Sequence, residues 1–427
     1  MPEIIAPRGT IDRFPPDSER YEYVIDRFKH AASKHGYQNV HTPTFEDTSL
    51  FSRGVGESTD IVMKEMYSFK DKKGRDLTLR PEMTAGVVRA LIQAGKRYTG
   101  QIDKFAYYGP MFRYDRPQKG RYREFFQVGI EAIGDKSPYL DIDVILTGWD
   151  YLTGLGIGAD SMIVILNSIG DVTDRNRYLE ILRDHLVKVE TELCQDCKSR
   201  LHLNTLRVFD CKVPRCQELI LDAPTILDHI SDENRDHFET VKSTIESFGV
   251  HCKIDKKLVR GLDYYTHTVF EVFPTGEAQA SQGALLGGGR YDGLFANLSD
   301  GKLDFPAVGF ASGVERVADA VNWKQQDKKA IHGLDFYIVI LGDSAKSAAY
   351  KIARKLQTWG FSADVDYTTG KLKNQFKRSE DKSAKSLIII GESEIEQKIV
   401  KYKPSKDEEI TLEMSVFDRD GIPPQFR

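Results

Sequence analysis

The densest set of residues that could do chemistry is a basic segment between two predicted strands. Counted from Arg113 to Arg123, five of eleven residues are Arg or Lys, and Tyr, Asp and Gly stand among them. Guanidinium groups keep their charge and donate hydrogen bonds in a planar fork that matches phosphate oxygens. The segment therefore predicts a polyphosphate site; a run of solvated surface charge is the alternative.

The strand predicted after this segment, residues 123–132, alternates between two faces. Arg123, Phe125, Gln127, Gly129 and Glu131 share one face, and mainly apolar residues share the other. A polar face around a glycine is typical of the floor of a polar ligand site, because glycine leaves room for a close approach. A half-exposed antiparallel strand shows the same alternation, so a solvated face explains the pattern equally well.

Three further segments combine glycine with arginine and an acidic residue, and two of them also contain tyrosine. Residues 258–265 include Arg260, and residues 287–293 include three consecutive glycines; neither segment matches a P-loop or a dinucleotide-binding fingerprint. Tight glycine turns would also explain them. Residues 307–317 predict a strand that runs into a helix, with Arg316 off the buried stripe of that helix.

The elements that must position these residues predict an α/β (α+β) fold. An amphipathic helix begins near Asp17, and the strand after it contains Pro43, which indicates an edge, a bulge or a subunit boundary. Residues from about 170 to 255 are helical and charged, and they indicate an insertion between two halves of one sheet domain. The Lys-rich residues 323–333 predict a linker to a small α/β domain, so we expect domains at 1–325 and 326–427.

Composition limits the class of function. The 427 residues include 60 Lys and Arg against 64 Asp and Glu, a net charge of -4, which argues against nucleic-acid binding by bulk positive charge but leaves local basic faces open. The sequence contains neither a signal-peptide pattern nor an apolar stretch long enough for a membrane span. We therefore expect a cytoplasmic protein with reduced thiols and no membrane partner.

Taken together, these segments resemble class II aminoacyl-tRNA synthetases, specifically the histidyl-tRNA synthetase family. Residues 7–10 and the first helix with Pro43 are similar to the family's N-terminal signature and motif 1, residues 112–131 to motif 2, and residues 309–316 to motif 3. The two glycine clusters are similar to its histidine-specific peptides. The resemblance implies a homodimer whose antiparallel-sheet catalytic domain carries a helical insertion and is followed by an α/β anticodon-binding domain.

The resemblance also implies the activity: ATP, accompanied by Mg²⁺, activates L-histidine to histidyl-adenylate, and the histidyl group is transferred to tRNA(His), with no tightly bound cofactor. The histidine carboxylate is ionised at neutral pH, so the first step needs charge stabilisation rather than a general base. The matching positions are Arg113 and Arg260 for catalysis; Arg113, Arg121, Tyr122 and Arg316 for ATP; and Glu82, Met83, Thr84, Arg113, Gln127, Glu131, Arg260, Tyr264 and Tyr265 for histidine. Met83 replaces a glycine that is usual in the family.

A basic helix is predicted in the C-terminal domain. It carries Lys371, Lys373, Lys377 and Arg378, and on an anticodon-binding domain the resemblance implies that these residues contact tRNA phosphates. A solvated helix face is the alternative.

Four of the five cysteines have a spacing compatible with tetrahedral zinc. They are Cys194 and Cys197, two residues apart, and Cys211 and Cys216, four residues apart. The resemblance favours no metal, because the family does not generally depend on zinc in this insertion. We therefore expect no metal site, with zinc as the alternative.

The main alternative function is that of the non-catalytic, synthetase-like regulatory subunit of ATP phosphoribosyltransferase. That relative lacks the anticodon-binding domain and has eroded signatures, whereas this sequence has the domain and retains Arg113, Arg121, Arg260 and Arg316. A sensor domain of a stress kinase and a class II synthetase for another amino acid are further alternatives.

Overall fold

The computed structural model describes residues 4–57, 59–96, 100–117, 120–276, 283–330, 333–368, 370–404 and 408–426. The chain divides into two compact units, Met1–Gln326 and Asp327–Arg427. Among the residues in these described ranges, no helix combines the length and the apolar character needed to cross a bilayer.

The first unit is built on a large, mostly antiparallel sheet. Its strands, numbered in chain order, are β1 (Gln38–Asn39), β2 (Phe45–Asp47), β3 (Tyr67–Lys70), β4 (Asp76–Leu79), β5 (Asp103–Phe112), β6 (Glu124–Ile133), β7 (Met162–Ser168), β8 (Cys252–Ile254), β9 (Thr266–Pro274), β10 (Leu286–Arg290) and β11 (Ala307–Gly313). Eight of them form one sheet in the order β1-β5-β6-β11-β10-β9-β7-β8, and β2-β4-β3 form a second, small sheet. In the large sheet only the outer pairs β1/β5 and β7/β8 are parallel, which confirms the predicted antiparallel sheet.

Two long helices, Asp17–Lys34 and Pro138–Gly154, cover one face of this sheet. Phe28 in the first helix packs edge-to-face against Tyr151 in the second at 5.5 Å and against Phe310 of β11 at 6.5 Å, measured between ring centroids. The opposite face of β6 and β11 is left for other contacts. The helices of the first unit are Asp17–Lys34, Thr48–Val55, Thr84–Gln93, Pro138–Gly154, Val172–Val187, Gln195–Leu203, Pro214–Leu219, Asp232–Ser247, Leu294–Leu298 and Val314–Ala320, and the helix Trp323–Ala330 begins in the first unit and ends in the second.

A buried ion pair fixes the second of these helices to the sheet. Asp141 and Arg290, at the end of β10, are both almost fully buried, and their carboxylate and guanidinium groups pair directly. Arg290 also donates to the carbonyl oxygens of Asp135 at 2.8 Å and Ser137 at 3.1 Å. Such a pair is tolerated inside a protein because further hydrogen bonds satisfy the remaining donors.

The helical insertion is present where the charge and periodicity of the sequence predict it. Helices and short 3₁₀ turns run from Val172 to Ser247 between β7 and β8. Their apolar residues, such as Leu182, Leu186 and Phe238, are buried in the same core as the large sheet. The insertion is therefore part of the first unit.

Two local predictions differ from the structure. The strand expected around Pro43 shortens to the two residues of β1, at the edge of the sheet, and the carbonyl oxygens of Thr42 and Pro43 accept instead from the Arg80 side chain. The predicted linker at 323–333 instead begins with the helix Trp323–Ala330. Its lysine, glutamine and alanine residues favour helix, and Trp323 anchors it by donating its indole N–H to the carbonyl oxygen of Ala318 at 2.8 Å.

The second unit is a five-stranded sheet with helices on both faces. The strands are β12 (Phe336–Leu341), β13 (Ala363–Val365), β14 (Ser386–Gly391), β15 (Ile399–Pro404) and β16 (Ile410–Glu413), and the helices are Lys346–Thr358, Leu372–Asp381 and Glu392–Glu396. The order is β13-β12-β14-β15-β16, with the first three strands parallel. Ile338 packs in the cluster that contains Ile352 of the helix Lys346–Thr358. Its neighbour Val339 packs in the cluster that contains Phe376 of the helix Leu372–Asp381, so these two helices cover opposite faces of the sheet.

Candidate active site

A cavity of about 480 Å³ opens on the face of the large sheet opposite the two long helices. Phe310 packs against those helices, so its neighbours Gly309 and Ala311 face the cavity. The cavity collects all of the residues assigned to histidine or ATP by resemblance except Met83: Glu82, Thr84, Arg113, Arg121, Tyr122, Gln127, Glu131, Tyr264, Tyr265, Arg260 and Arg316. Its volume lies in the range of small-molecule sites.

Glycines on β11 and β10 make room for charged side chains on this face. Gly309 of β11 pairs with Glu131 of β6, and a Cβ at Gly309 would collide with the Glu131 carboxylate. Gly287 of β10 pairs with Glu271 of β9, and a Cβ at Gly287 would collide with the guanidinium of Arg260. The Glu131 carboxylate and the Arg260 guanidinium can therefore lie flat across the sheet, whereas any larger residue in place of either glycine would displace them.

Gly129 serves the protein rather than a ligand, which corrects one inference from the sequence. In the register of β5 and β6 it lies opposite Tyr107, whose hydroxyl oxygen is 2.5 Å from the position that a Cβ would occupy. The space beside Gly129 is thus filled by the tyrosine ring, which crosses β6 to reach Glu131.

Glu131 is held by three hydroxyl groups. Its carboxylate accepts hydrogen bonds from Thr84 Oγ1 at 2.6 Å, from the Tyr107 hydroxyl at 3.1 Å and from the Tyr291 hydroxyl at 2.5 Å. Burial raises the pKa of Glu131 to about 8 even though these hydroxyls favour the charged form, and the nearby Glu82 adds to the rise. The raised pKa keeps a proton on Glu131 at neutral pH, and because three hydroxyls already donate to its oxygens, this O–H group is left to donate to a ligand.

Glu82 holds the start of the helix that carries Thr84. Its two carboxylate oxygens accept the backbone N–H groups of Thr84 at 2.7 Å and Ala85 at 3.0 Å, two of the donors that a helix leaves free at its N-terminus. Burial raises the pKa of Glu82, and these N–H bonds work against the rise. The carboxylate faces the cavity from a fixed position.

Two of the predicted histidine-site residues form a buried aromatic wall. The rings of Tyr264 and Tyr265 lie 4.8 Å apart between centroids, and Tyr264 packs edge-to-face against Tyr291 at 5.6 Å. Burial raises the pKa of Tyr264 well above its ordinary value, so its hydroxyl stays protonated and can donate a hydrogen bond.

Arg113 and Arg260 are both positioned by neighbouring protein groups. Arg113 donates from Nε to the carbonyl oxygen of Pro81 at 2.9 Å and lies 5.3 Å from the centre of the Phe125 ring. Arg260 pairs with Glu271 and lies 5.7 Å from the centre of the Tyr265 ring. Burial lowers the pKa of Arg113. Burial also works against the charged form of Arg260, but Glu271, Tyr265 and Tyr264 together outweigh it, and the pKa of Arg260 is raised.

Two buried polar atoms in this cavity are unsatisfied. Within the part of the chain that the structure describes, Arg260 Nε and Gln127 Oε1 have no hydrogen-bond partner. A donor and an acceptor without partners in one cavity are available to a polar ligand.

Arg316 and Arg121 bring further positive charge to the cavity. Arg316 donates from Nε to the carbonyl oxygen of Gly120 at 3.3 Å, and Arg121 is exposed, with Nη1 3.4 Å from a carboxylate oxygen of Asp115. Burial lowers the pKa of Arg316, and repulsion from Arg121 and Arg113 lowers it further. Such repulsion indicates a site that would be stabilised by a polyanion. In the same basic segment, Gln118 and Lys119 lie outside the described residues.

Met83 does not line the cavity, in contrast to its predicted role. Its side chain is 2% exposed and belongs to the apolar core, while its neighbours Glu82 and Thr84 face the cavity. The apolar thioether turns toward the core because the cavity side is occupied by polar groups.

The prediction missed several residues of the site. Tyr107, Tyr291 and Glu271 hold the predicted residues in place, and Arg207 of the insertion lines the cavity. Tyr291 stands within the glycine cluster at 287–293, so proximity in sequence could have indicated it. For Tyr107 the signal was Gly129, which was interpreted as space for a ligand.

Two family models match this chain: "Histidyl-tRNA synthetase" over residues 9–317 and "Anticodon binding domain" over residues 335–417. This chain belongs to the histidyl-tRNA synthetase family. A histidine–tRNA ligase of Bacillus subtilis (strain 168) is 42% identical over 414 residues, 96% of each chain. One of Halothermothrix orenii is 43% identical over 396 residues, 92% of this chain and 93% of the relative.

Solved structures show the same relationship to histidyl-tRNA synthetases. Apo histidyl-tRNA synthetase of S. aureus is 36% identical with a TM-score of 0.79, covering 97% of this chain and 99% of that one. A Bacillus halodurans protein described as an ATP phosphoribosyltransferase regulatory subunit/histidyl-tRNA synthetase is 21% identical with a TM-score of 0.63, covering 91% and 98%. At that identity the likeness shows the fold alone.

The synthetase family's anticodon-binding domain carries the predicted basic helix at Leu372–Asp381. Lys371, Lys373 and Lys377 are exposed on or beside it. Arg378 differs, because its guanidinium pairs with the Asp366 carboxylate at 2.7 Å. That residue holds the helix to the end of β13, and its predicted contact with tRNA has to compete with this pair.

A second cluster lies in the helical insertion. The sulfur atoms of Cys194, Cys197, Cys211 and Cys216 all lie within 4.8 Å of one another. The expectation of no metal site does not account for four thiols brought together from separate parts of the insertion.

The raised pKa of Glu131 predicts a pH-dependent stability. A folded Glu131 keeps its proton up to a pH of about 8, whereas an unfolded one releases it near 4.5, so its contribution to stability falls as the pH rises between these values. Glu131→Gln removes that loss, and its stability relative to the wild type should increase across this window and level off above it. Urea-denaturation midpoints of the two proteins over a pH series measure the difference. Glu180→Gln, an exposed site, is the matched control, and parallel curves for Glu131→Gln and wild type would contradict the prediction.

Proposed function

We propose that this chain activates L-histidine with ATP and transfers the histidyl group to tRNA(His), releasing AMP and pyrophosphate, in the cytoplasm. The proposal rests on two groups of side chains that line one cavity, and from them we infer two parts of that cavity. Glu82, Thr84 and Tyr264 interact with Glu131, whereas Arg113, Arg121 and Arg316 lie close enough to repel one another. These two parts suit a small amino acid and a polyphosphate, respectively.

In the polar part we place histidine. Its α-ammonium would be bound by Glu82, Thr84 and Gln127, whose free Oε1 is an acceptor for it. The two ring nitrogens would be bound by Glu131 and Tyr264, beside Tyr265. An analogue that lacks one ring nitrogen would leave a buried polar group unpaired, which supports discrimination by binding alone.

In the basic part we place ATP as its Mg²⁺ complex, which is a substrate rather than a resident cofactor. Arg113 would contact the α-phosphate, Arg121 and Arg316 the outer phosphates, and Tyr122 the nucleotide. Arg260 would face Arg113 across the α-phosphate and direct its free Nε to the ligand. The repulsion among the arginines of this part would be relieved by the phosphates.

The first chemical step needs these charges and no general base, because the attacking carboxylate of histidine is already ionised. A carboxylate oxygen of histidine attacks the α-phosphorus, the bond from that phosphorus to the bridging oxygen breaks, and pyrophosphate leaves. A hydroxyl of the terminal ribose of tRNA then attacks the carbonyl carbon of the adenylate, and AMP leaves with the hydroxyl proton. Negative charge grows on the α-phosphate in the first step, where Arg113 and Arg260 would stabilise it.

Arg260→Gln tests this assignment. It should lower the rate of histidine-dependent ATP–pyrophosphate exchange about 10²–10³-fold, the usual cost of removing one preorganised charge-stabilising donor. The exchange is measured with histidine and, in parallel, with each other amino acid. The control Arg183→Gln removes an exposed arginine from the insertion and should keep the wild-type rate.

The same assay distinguishes the alternatives. A regulatory subunit would give no exchange with histidine, and a synthetase for another amino acid would give exchange with that amino acid instead. Wild-type exchange in folded Arg260→Gln protein would reject the role of Arg260 while leaving the ligase activity standing. The curated ligases at 41–44% identity over nearly the whole chain favour the ligase over the regulatory subunit.

For tRNA we propose contacts between phosphates and the exposed lysines of the helix Leu372–Asp381. Lys373 and Lys377 are one turn apart, so their charges extend from the same side. This local cluster offers positive charge on a chain whose net charge is -4.

Charge reversal tests the lysine contacts. Lys373→Glu with Lys377→Glu should weaken tRNA binding and reduce the slope of log affinity against log salt by about 1 for each lysine, while exchange activity remains. Filter binding over a salt series measures both quantities. The matched control, Lys351→Glu with Arg354→Glu, changes the charge equally on the helix that covers the other face of the sheet. Equal losses in the two double variants, or loss of exchange, would reject a specific contact.

We also propose a homodimer, as the resemblance of the N-terminal segments implies. Phe45 and Phe69 support it: they are 51% and 44% exposed on the small sheet and pack edge-to-face at 6.3 Å. Sedimentation equilibrium should give the mass of two chains, and Phe45→Ser should shift it toward one. Phe248→Ser, an exposed phenylalanine of the insertion, should leave the mass unchanged, and a wild-type mass of one chain would reject the dimer.

A further inference from the structure

We propose that Cys194, Cys197, Cys211 and Cys216 form a structural zinc site in the helical insertion. Their sulfur atoms lie within 4.8 Å of one another, and three of the four residues are buried. Four thiol groups from two separated pairs converge on one point, which is the ligand set of a closed tetrahedral zinc site.

The spacing of the sulfurs fits zinc better than it fits disulfides. With Zn–S bonds of about 2.3 Å, tetrahedral geometry places the sulfurs about 3.8 Å apart. The sulfur atoms of Cys194 and Cys211 are 3.8 Å apart. A disulfide needs about 2.05 Å between its sulfurs and would join only two of the four.

Backbone N–H groups point at the sulfurs as they do at metal-bound thiolates. The N–H of Cys194 donates to the sulfur of Cys216 at 3.2 Å, and the N–H of Val213 donates to the sulfur of Cys211 at 3.4 Å. Four thiolates around one Zn²⁺ keep a net charge of -2, and these N–H groups offset part of it. Each thiol gives its proton to solvent when it binds the ion.

The chemistry of the ligands selects the ion. Sulfur ligands favour soft ions over Mg²⁺ or Ca²⁺, and a reduced intracellular protein meets Zn²⁺ as the common ion for four thiolates. Four protein ligands leave no position open for a substrate, so the ion would act on structure rather than on the reaction.

The site would fasten a segment that contacts the cavity. Residues 198–210 connect the two cysteine pairs, and within them Asn204 donates to the Asp263 carboxylate at 2.6 Å. Arg207 lines the cavity and lies 3.4 Å from a carboxylate oxygen of Asp60. One zinc ion bound to the cysteines on both sides of this segment would thus hold it against the residues that follow Arg260.

Metal analysis of the purified full-length protein tests the proposal. We expect about one zinc ion per chain after gel filtration, its release when a mercurial reagent blocks the thiols, and a tetrahedral thiolate spectrum after replacement with Co²⁺. Cys197→Ser and Cys211→Ser should lose the zinc. Cys252→Ser, the fifth cysteine, stands outside the cluster and should retain it.

Measurements on the wild-type protein alone can overturn the proposal, so the test does not depend on whether the serine variants fold. Thiol titration in denaturant, without prior reduction, should find all five cysteines reactive once zinc is released. Five reactive thiols with no zinc and no tetrahedral Co²⁺ spectrum would overturn it. Fewer reactive thiols with no zinc would show disulfides instead and overturn it as well.

Discussion

The site depends on glycines at two positions on one face of the large sheet. Gly309 beside Glu131 and Gly287 beside Glu271 leave no Cβ on β11 and β10, so a carboxyl group and a guanidinium can lie across the strands. Strand register brings these glycines next to the groups that need the space. With alanine at either position, the charged group would have to move, and the cavity would lose its shape.

Burial on this face sets the electrostatics of the cavity. Glu131 is so poorly solvated that its pKa rises to about 8 despite three donating hydroxyls, and Glu82 is raised for the same reason. The arginines repel one another in the other part. The protein therefore maintains an arrangement that is costly when empty, and a ligand with an ammonium group at one end and phosphates at the other would relieve it.

Patterns that arise within one element were predicted correctly. The helix Asp17–Lys34, the strands β5 and β6, and the helical insertion follow from periodicity and capping signals a few residues apart. Glu131 and Gln127 were placed on one face by alternation along β6, and both line the cavity. The linker predicted at residues 323–333 was wrong because the lysine-rich composition was given more weight than the helix-forming residues of that segment.

The sequence by itself determined the fold class, the family resemblance and the charged residues that line the cavity, because each is encoded in local patterns and motifs. Only the tertiary structure decided what fills the space at Gly129, that Met83 turns to the core, and that Tyr107 and Tyr291 hold Glu131. It also decided that four cysteines meet at one point. These facts depend on strand register and on packing between segments far apart in the chain, where spacing along the sequence carries no distance in space.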